Sequence, residues 1–237
     1  MEVRSLYREP ERQEQVEWGA LELHDVFKIF RAGETDVVAL RGFDLRVERG
    51  ELVAVLGPSG SGKTTFLHLA AGLDQPSAGE VRVAGRSLSR LDDADLAEYR
   101  ARELALIFQT GNLWPALTAR ENVLASLGLA GRDGSAADEA LAHFGLAARS
   151  GQRAGVLSGG EQQRVAIAAA AARSAPLVLA DEPTAELDER NEAVVLEEFG
   201  RLRRDFGATV VVVTHSPAVA ASADRVLEIR DGRVVDA

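Results

Sequence analysis

Three groups of residues have the types and the spacing to act on a phosphorylated ligand. Gly57, Pro58, Ser59, Gly60, Ser61, Gly62, Lys63 and Thr64 carry the full G-x-x-x-x-G-K-[ST] pattern, with Thr65 behind it. Glycines let backbone N–H groups turn inward around phosphate oxygens, where a Cβ would obstruct them. A helix starting at the lysine adds roughly half a positive charge at the same point. Lys63 then reaches the β and γ phosphates, and the Thr64 hydroxyl is a ligand for Mg²⁺. The second group is Asp181 and Glu182, behind the apolar run at residues 177–180. Acids at the carboxyl end of a buried strand lie at the ligand edge of an open parallel sheet. Asp181 suits Mg²⁺, held through water, and Glu182 suits polarising the attacking water. The third group is Ser158, Gly159, Gly160 and Glu161. Ser and Glu three apart form a capping box, so part of this string is how a helix starts. Two glycines are no part of a cap and cost up to ~1 kcal/mol each against alanine. Their presence points to close approach by a ligand, such as a γ-phosphate resting on the bare helix end.

The elements that must hold these groups are legible from hydrophobic pattern. Residues 52–56 (LVAVL) form a short continuous apolar run, the mark of a strand buried on both faces, directly ahead of the glycine loop. Residues 63–71 predict a helix stopped by Gly72. Residues 177–180 (LVLA) and 210–213 (VVVV) predict two more buried strands, each preceded by a helical stretch. Strands alternating with helices imply a parallel sheet covered on both faces. Residues 21–27 predict an irregular first strand, residues 37–47 an alternating one, and residues 79–85 a hairpin strand. Asp92 predicts a helix start, with Asp95 three residues on and Glu98 four before Arg102. From about 92 to 156 the chain reads as helix and loop with no further buried strand. Ser216 and Pro217 read as cap and first helical residue. Residues 1–17 read as a solvated tail, with structure beginning near Trp18.

Composition bounds the partners. The 237 residues carry a formal net charge of -10 and are 46% hydrophobic, enough for one domain with a real core. Such an acidic surface argues against nucleic acid or anionic lipid as the main partner. With no cysteine, neither a disulfide framework nor a cysteine metal site is possible. No window approaches 18 consecutive apolar residues, so the sequence predicts neither a membrane span nor a signal segment.

Residues 157–164 (LSGGEQQR), downstream of a complete phosphate loop and shortly ahead of LADEPT, resemble the ABC transporter ATPase family. The resemblance runs from about residue 21 to the C-terminus. It implies a P-loop NTPase core, mostly parallel sheet flanked by helices, with an antiparallel β region and an inserted helical subdomain: core 18–91 and 157–237, subdomain about 92–156. It implies ATP and Mg²⁺ as ligands and ATPase activity. It also implies further site residues. Phe30, in FKIF, matches the ring that stacks on adenine. Gln109, in IFQ, matches the glutamine that senses Mg²⁺ or water and links core to helical subdomain. Asp188, in AELD, matches the aspartate of the loop crossing a dimer interface. His215, in VVVVTH, matches the histidine that contacts the γ-phosphate. His24, His68 and His143 have no such context and read as packing or surface residues.

Within the family the cues resemble the lipoprotein-release, macrolide-exporter and cell-division group: LADEPT, the segment 109–123, the spacer after Phe30 and the ending RVLEIRDGRVV. Such proteins imply a second copy arranged head to tail, separately encoded membrane permease subunits, and residence on the cytoplasmic face of the cell membrane. A non-transport regulator of an envelope or cell-division complex shares every one of these residues. This sequence departs from the group at Ala169, in place of an arginine, and at Ala185 and Glu186. It departs also at Gly111 and Trp114, and by a shorter stretch between Val123 and Leu157. Trp114 is read equally as a partner contact and as a core plug.

Overall fold

The structure, a computed structural model, describes residues 17–32 and 35–236. The expected tail over residues 1–16, and Gly33 and Glu34 of the spacer, lie outside the described residues.

Two sheets follow from two kinds of strand sequence. The continuous apolar runs become β3 (Leu52–Leu56), β7 (Leu177–Asp181) and β8 (Thr209–Val213). They sit inside a six-stranded sheet completed by β6 (Leu104–Ile107), β9 (Arg225–Arg230) and β10 (Arg233–Asp236), in the order β10-β9-β3-β8-β7-β6. Every pairing in it is parallel except the β9–β10 hairpin. Alternation gives the half-exposed strands: β1 (Leu21–Ala32), β2 (Thr35–Val47), β4 (Ala78–Val83) and β5 (Arg86–Ser87) form an antiparallel sheet in the order β2-β1-β4-β5. In β2, Leu40, Phe43, Leu45 and Val47 turn inward while their neighbours stay exposed or half-exposed.

The central strands feed two cores, because successive side chains leave a strand on opposite faces. Val210 and Val212 join Ala54, Val178 and Ala180 on one face; Val211 and Val213 join Val53, Val55 and Leu179 on the other. The first face is covered by α3 (Ala119–Leu129), α4 (Ala137–His143), α5 (Gly159–Ala172) and α6 (Glu189–Phe206). Residues 165–172 of α5 are all buried. A stripe of alanine lets the surrounding helices and the sheet approach that helix closely. The second face is covered by α1 (Lys63–Ala70), α2 (Asp93–Arg102) and the antiparallel sheet. Tyr99 of α2 is fully buried, and its hydroxyl donates to Ala70 O at 2.8 Å, fixing the far end of α1. Burial raises the Tyr99 phenol above its ordinary pKa, so it stays protonated and able to donate. A short α7 (Pro217–Ser222) follows β8.

Local signals at helix starts hold. Asp92 accepts from Asp95 N at 2.9 Å, Glu98 pairs with Arg102 at 2.9 Å, and Ser216 accepts from Ala218 N at 3.2 Å. One expectation fails: β6 is a buried strand between residues 92 and 156, where only helix and loop were read. Its four residues, LALI, follow a helix directly, and so short an apolar run carries no period that separates strand from helix.

Candidate nucleotide site

Strand order decides what meets. β3, β8, β7 and β6 run parallel and side by side, so the residues after each emerge on one edge. These are Gly57 to Thr64 after β3, His215 after β8, Asp181 and Glu182 at the end of β7, and Gln109 after β6. All of them but the buried Ser61 line a cavity of about 760 Å³, together with Thr65, Val37, Val38 and Ala39.

The glycines of the loop serve different needs. A Cβ on Gly57 would stand 2.4 Å from Ile229 O, and one on Gly62 would stand 2.7 Å from Ala39 O. These two are dictated by the strands packed behind the loop. Gly60 has φ +78 and open space where its Cβ would be, so its backbone is bare toward the cavity. Lys63 Nζ donates to Gly57 O at 2.7 Å and Pro58 O at 3.0 Å, which lays the ammonium across the loop. Ser61 Oγ is buried inside the turn without a hydrogen-bond partner. A bare backbone and a cation in one turn form a cradle that fits phosphate oxygens.

At the next strand ends, Thr64 Oγ1 donates to Asp181 Oδ2 at 3.4 Å. Burial, chiefly, holds the Asp181 carboxyl above its ordinary range, with the neighbouring Glu182 adding to the shift. No cluster of three or more His, Cys, Asp or Glu side chains able to hold a metal occurs among the described residues. One hydroxyl and one carboxylate fit Mg²⁺ when phosphate oxygens and waters complete its six positions. Glu182 sits at φ +47, a conformation costly for a residue with a Cβ, and its N–H donates to Val213 O at 2.9 Å. Its carboxylate meets His215 Nδ1 at 3.0 Å and accepts from His215 N at 3.3 Å. Glu182 is the more enclosed of the two, at 20% side-chain exposure against 72% for His215.

Gln109 reaches the cavity wall, yet its amide donates to Glu186 Oε1 at 3.2 Å and not to Asp181 or Glu182. Its backbone is secured from below by Gln163, a buried residue that sequence reading passed over. Gln163 Nε2 donates to Gln109 O at 2.8 Å and Phe108 O at 3.0 Å, and its Oε1 accepts from Asn112 at 3.0 Å. A polar residue at a buried position of α5 was the signal available.

The remaining expected residues lie elsewhere. Phe30 is 42% exposed and absent from the cavity wall, although Val37, its register partner across β1 and β2, lines it. Lys28 Nζ stands 4.9 Å from the Phe30 ring centroid and is anchored to Asp74 at 2.6 Å. The Ser158 cap forms the expected box: Ser158 N donates to Glu161 Oε2 at 2.9 Å, and Glu161 N to Ser158 Oγ at 3.3 Å. The Ser158 N–H, above all, holds the Glu161 carboxyl below its usual range. Arg149 Nε pairs with the same carboxylate at 2.8 Å. Ser158 and Gly159 are exposed, whereas Gly160 is buried, and a Cβ there would meet Asn191 Oδ1 at 3.0 Å. Packing within the chain therefore accounts for Gly160; a Cβ on Gly159 would meet the tip of Leu187 at 3.2 Å, and that position stays exposed at the cap. Asp188 caps α6, accepting from Asn191 N at 2.8 Å. None of Ser158, Gly159, Gly160, Glu161 or Asp188 borders the phosphate cavity. His24 and His143 bond Glu22 at 3.1 Å and Asp205 at 3.0 Å, and His68 lies on an exposed turn of α1.

The sequence model of the ABC transporter family matches residues 40–185, more than half of the chain. This chain belongs to the ABC transporter family. It is 45% identical to the lipoprotein-releasing system ATP-binding protein LolD of Geobacter metallireducens, over 91% of this chain and 97% of that one. It is 48% identical to the macrolide export ATP-binding/permease protein MacB of Rhodopseudomonas palustris, over 91% of this chain but only 33% of the relative's length. Among solved structures it is similar to an ATP-binding cassette determined as a dimer in a post-hydrolysis state with ADP and Pi. That likeness has a TM-score of 0.82 and 38% identity, over 90% of this chain and 96% of that one. The α/β fold of a P-loop ATPase thus stands, and this ABC cassette is an ATP-binding protein whose expected activity is ATP hydrolysis.

Proposed function

We propose that this chain is the motor subunit of a membrane complex of the LolD and MacB kind, cleaving ATP between two head-to-tail copies of itself. The observation that carries this reading is a separation. The loop, Asp181, Glu182 and His215 share one cavity, while the bare cap at Ser158 and Gly159 stands outside it, open to solvent. A cap that completes the γ-phosphate site of a second copy gives both facts one cause. The dimeric state of the solved cassette supports the same arrangement.

In this reading Gly57, Pro58, Ser59, Gly60, Ser61 and Gly62 wrap the phosphates with backbone N–H groups, and Lys63 swings from its carbonyls onto the β and γ oxygens. Thr65 lines the same wall, and Phe30 supplies the adenine platform at the rim. Thr64 and Asp181 would hold Mg²⁺, joined by Gln109 once its amide leaves Glu186, and the ion when bound would neutralise charge on the phosphates. Glu182 takes the proton of the attacking water, with His215 holding its carboxylate and, later, the γ-phosphate. From the other copy come Ser158, Gly159, Gly160 and Glu161, with Asp188 at the seam. Phosphoryl transfer needs positioning and charge neutralisation more than covalent help, and these groups supply both.

The partner reading has its own support. Asn122 bonds both Trp114 N (2.8 Å) and Trp114 O (3.2 Å), while the Trp114 side chain leaves the residue 53% exposed. A pinned backbone presenting a bare indole favours partner contact over a core plug. No helix among the described residues is long and apolar enough to cross a membrane. In this reading the chain works at the cytoplasmic face of a membrane, held there by permease subunits of the kind the LolD and MacB names imply. The part that carries Trp114, drawn at about residues 92–156 from the sequence, forms the helical subdomain next to the Ser158 cap, with α2 and β6 assigned to the core on their packing.

Replacing Glu182 by Gln should slow hydrolysis by ~10² or more while nucleotide binding persists. Phosphate release and binding of a fluorescent ATP analogue, measured on the same preparation, check this. Normal turnover in that variant would remove Glu182 as the base.

A further inference from the structure

Glu182 and His215 come from two separate loops, one after β7 and one after β8, and their contact is the most delicate geometry in the site. Glu192 joins the roots of both loops. It lies in the first turn of α6, four residues beyond the Asp188 cap. Its Oε1 accepts from Thr184 Oγ1 at 3.0 Å and from Ser216 Oγ at 2.7 Å. Thr184 is two residues past Glu182 and only 4% exposed. Ser216 follows His215 directly, caps α7 through Val219 N at 3.4 Å, and draws its own N–H to Thr214 Oγ1 at 3.0 Å. Two hydroxyls from two loops thus converge on one carboxylate oxygen.

We propose that Glu192 is a positioning residue for hydrolysis, clamping the Glu182 loop to the His215 loop and linking both to the Asp188 end of α6. The proposal rests on the reading of Glu182 as the base with His215 beside it. Glu192 touches neither nucleotide nor water; it fixes the distance between the two groups that do. A shift of about 1 Å in such a pair costs up to ~10² in rate. A carboxylate oxygen with two lone pairs suits two donors at once, and an amide oxygen at the same place serves equally. Alanine removes the acceptor and leaves two hydroxyls without it.

The test is steady-state ATPase kinetics on the purified full chain, with E182Q as reference. E192A should lower kcat by about 10- to 100-fold with KM for ATP within about threefold. E192Q should recover most of the rate. T184V, nearly isosteric, should lower kcat in the same direction by less, and the E192A/T184V pair should be no slower than E192A alone, because the two act through one contact. A kcat for E192A within twofold of the parent, or an E192Q variant as slow as E192A, would overturn the clamp. Should E192A fail to fold, T184V at the parent rate overturns it equally. If E182Q turns over normally, the assignment of the base falls and the clamp with it. If E182Q is silent while E192A is normal, only the clamp falls.

Discussion

The phosphate edge and the Ser158 cap are held in different ways. At the edge, Asp181, Glu182, His215 and Gln109 lie at or within two residues of the end of a parallel strand, and Lys63 and Thr64 open the helix after the β3 loop, so the strand register fixes their separations: Val55 pairs with Val213, Asp181 with Val213, Ile107 with Ala180. The cap and the glutamine loop hang instead on side chains: Gln163 and Asn112 beneath residues 108–109, Arg149 beside Glu161, Glu186 on the Gln109 amide. Backbone ladders break cooperatively and rarely, whereas a handful of side-chain hydrogen bonds, each worth ~1 kcal/mol net, exchange readily. The chain thus keeps its chemistry rigid and its connection to other molecules adjustable.

Three substitutions would break or sharpen that contrast. The largest effect is expected from Ser158→Arg, which blocks the bare cap and leaves the phosphate edge intact. ATP turnover should fall to background while a single subunit still binds nucleotide, as read by phosphate release and equilibrium titration. Unchanged turnover would argue against two copies sharing the site. Next, Gln163→Ala removes the fastening beneath Phe108 and Gln109. A loss of kcat of about tenfold is expected with nucleotide affinity nearly constant, a buried network being worth more than one bond. An equal loss of affinity would mean that the glutamine loop is part of the rigid edge after all. The smallest effect is on stability and has the opposite sign. Because burial raises the Asp181 pKa, its contribution to stability is fully present at low pH and is lost as pH rises through the folded value. At neutral pH the ionised carboxylate therefore costs stability. Asp181→Asn should raise the nucleotide-free melting temperature at pH 7 by roughly 2–4 °C, the shift for ~1 kcal/mol in a chain of this size, while hydrolysis is lost. A melting temperature that falls would show Asp181 to be a net structural asset.

The contrast also explains what the sequence could disclose. The phosphate loop, Asp181, Glu182 and the Ser158 box are legible as local strings of residues, and the buried runs around them announce the parallel sheet. β6 stayed hidden because four apolar residues directly after a helix have no period to read. Gln163, Asn112 and Glu192 stayed hidden for another reason: each bonds residues brought near only by the finished fold, with Gln163 reaching back to Phe108 and Glu192 forward to Ser216. Phe30 was expected from its place in the chain, yet its cross-strand partner Val37, and not its ring, lines the cavity wall. Polar residues at half-buried helical positions are where such tertiary bonds should be sought.

The strands that press against Gly57 and Gly62 have a consequence for synthesis. Ile229 O sits under Gly57, Gly232 N donates to Ser61 O at 3.0 Å, and Gly232 O accepts from Arg41 N at 2.9 Å. Ala39, behind Gly62, is made before the loop, whereas Ile229 and Gly232 are made long after it, so the nascent loop gains its support from that side only when the β9–β10 hairpin has emerged and folded back.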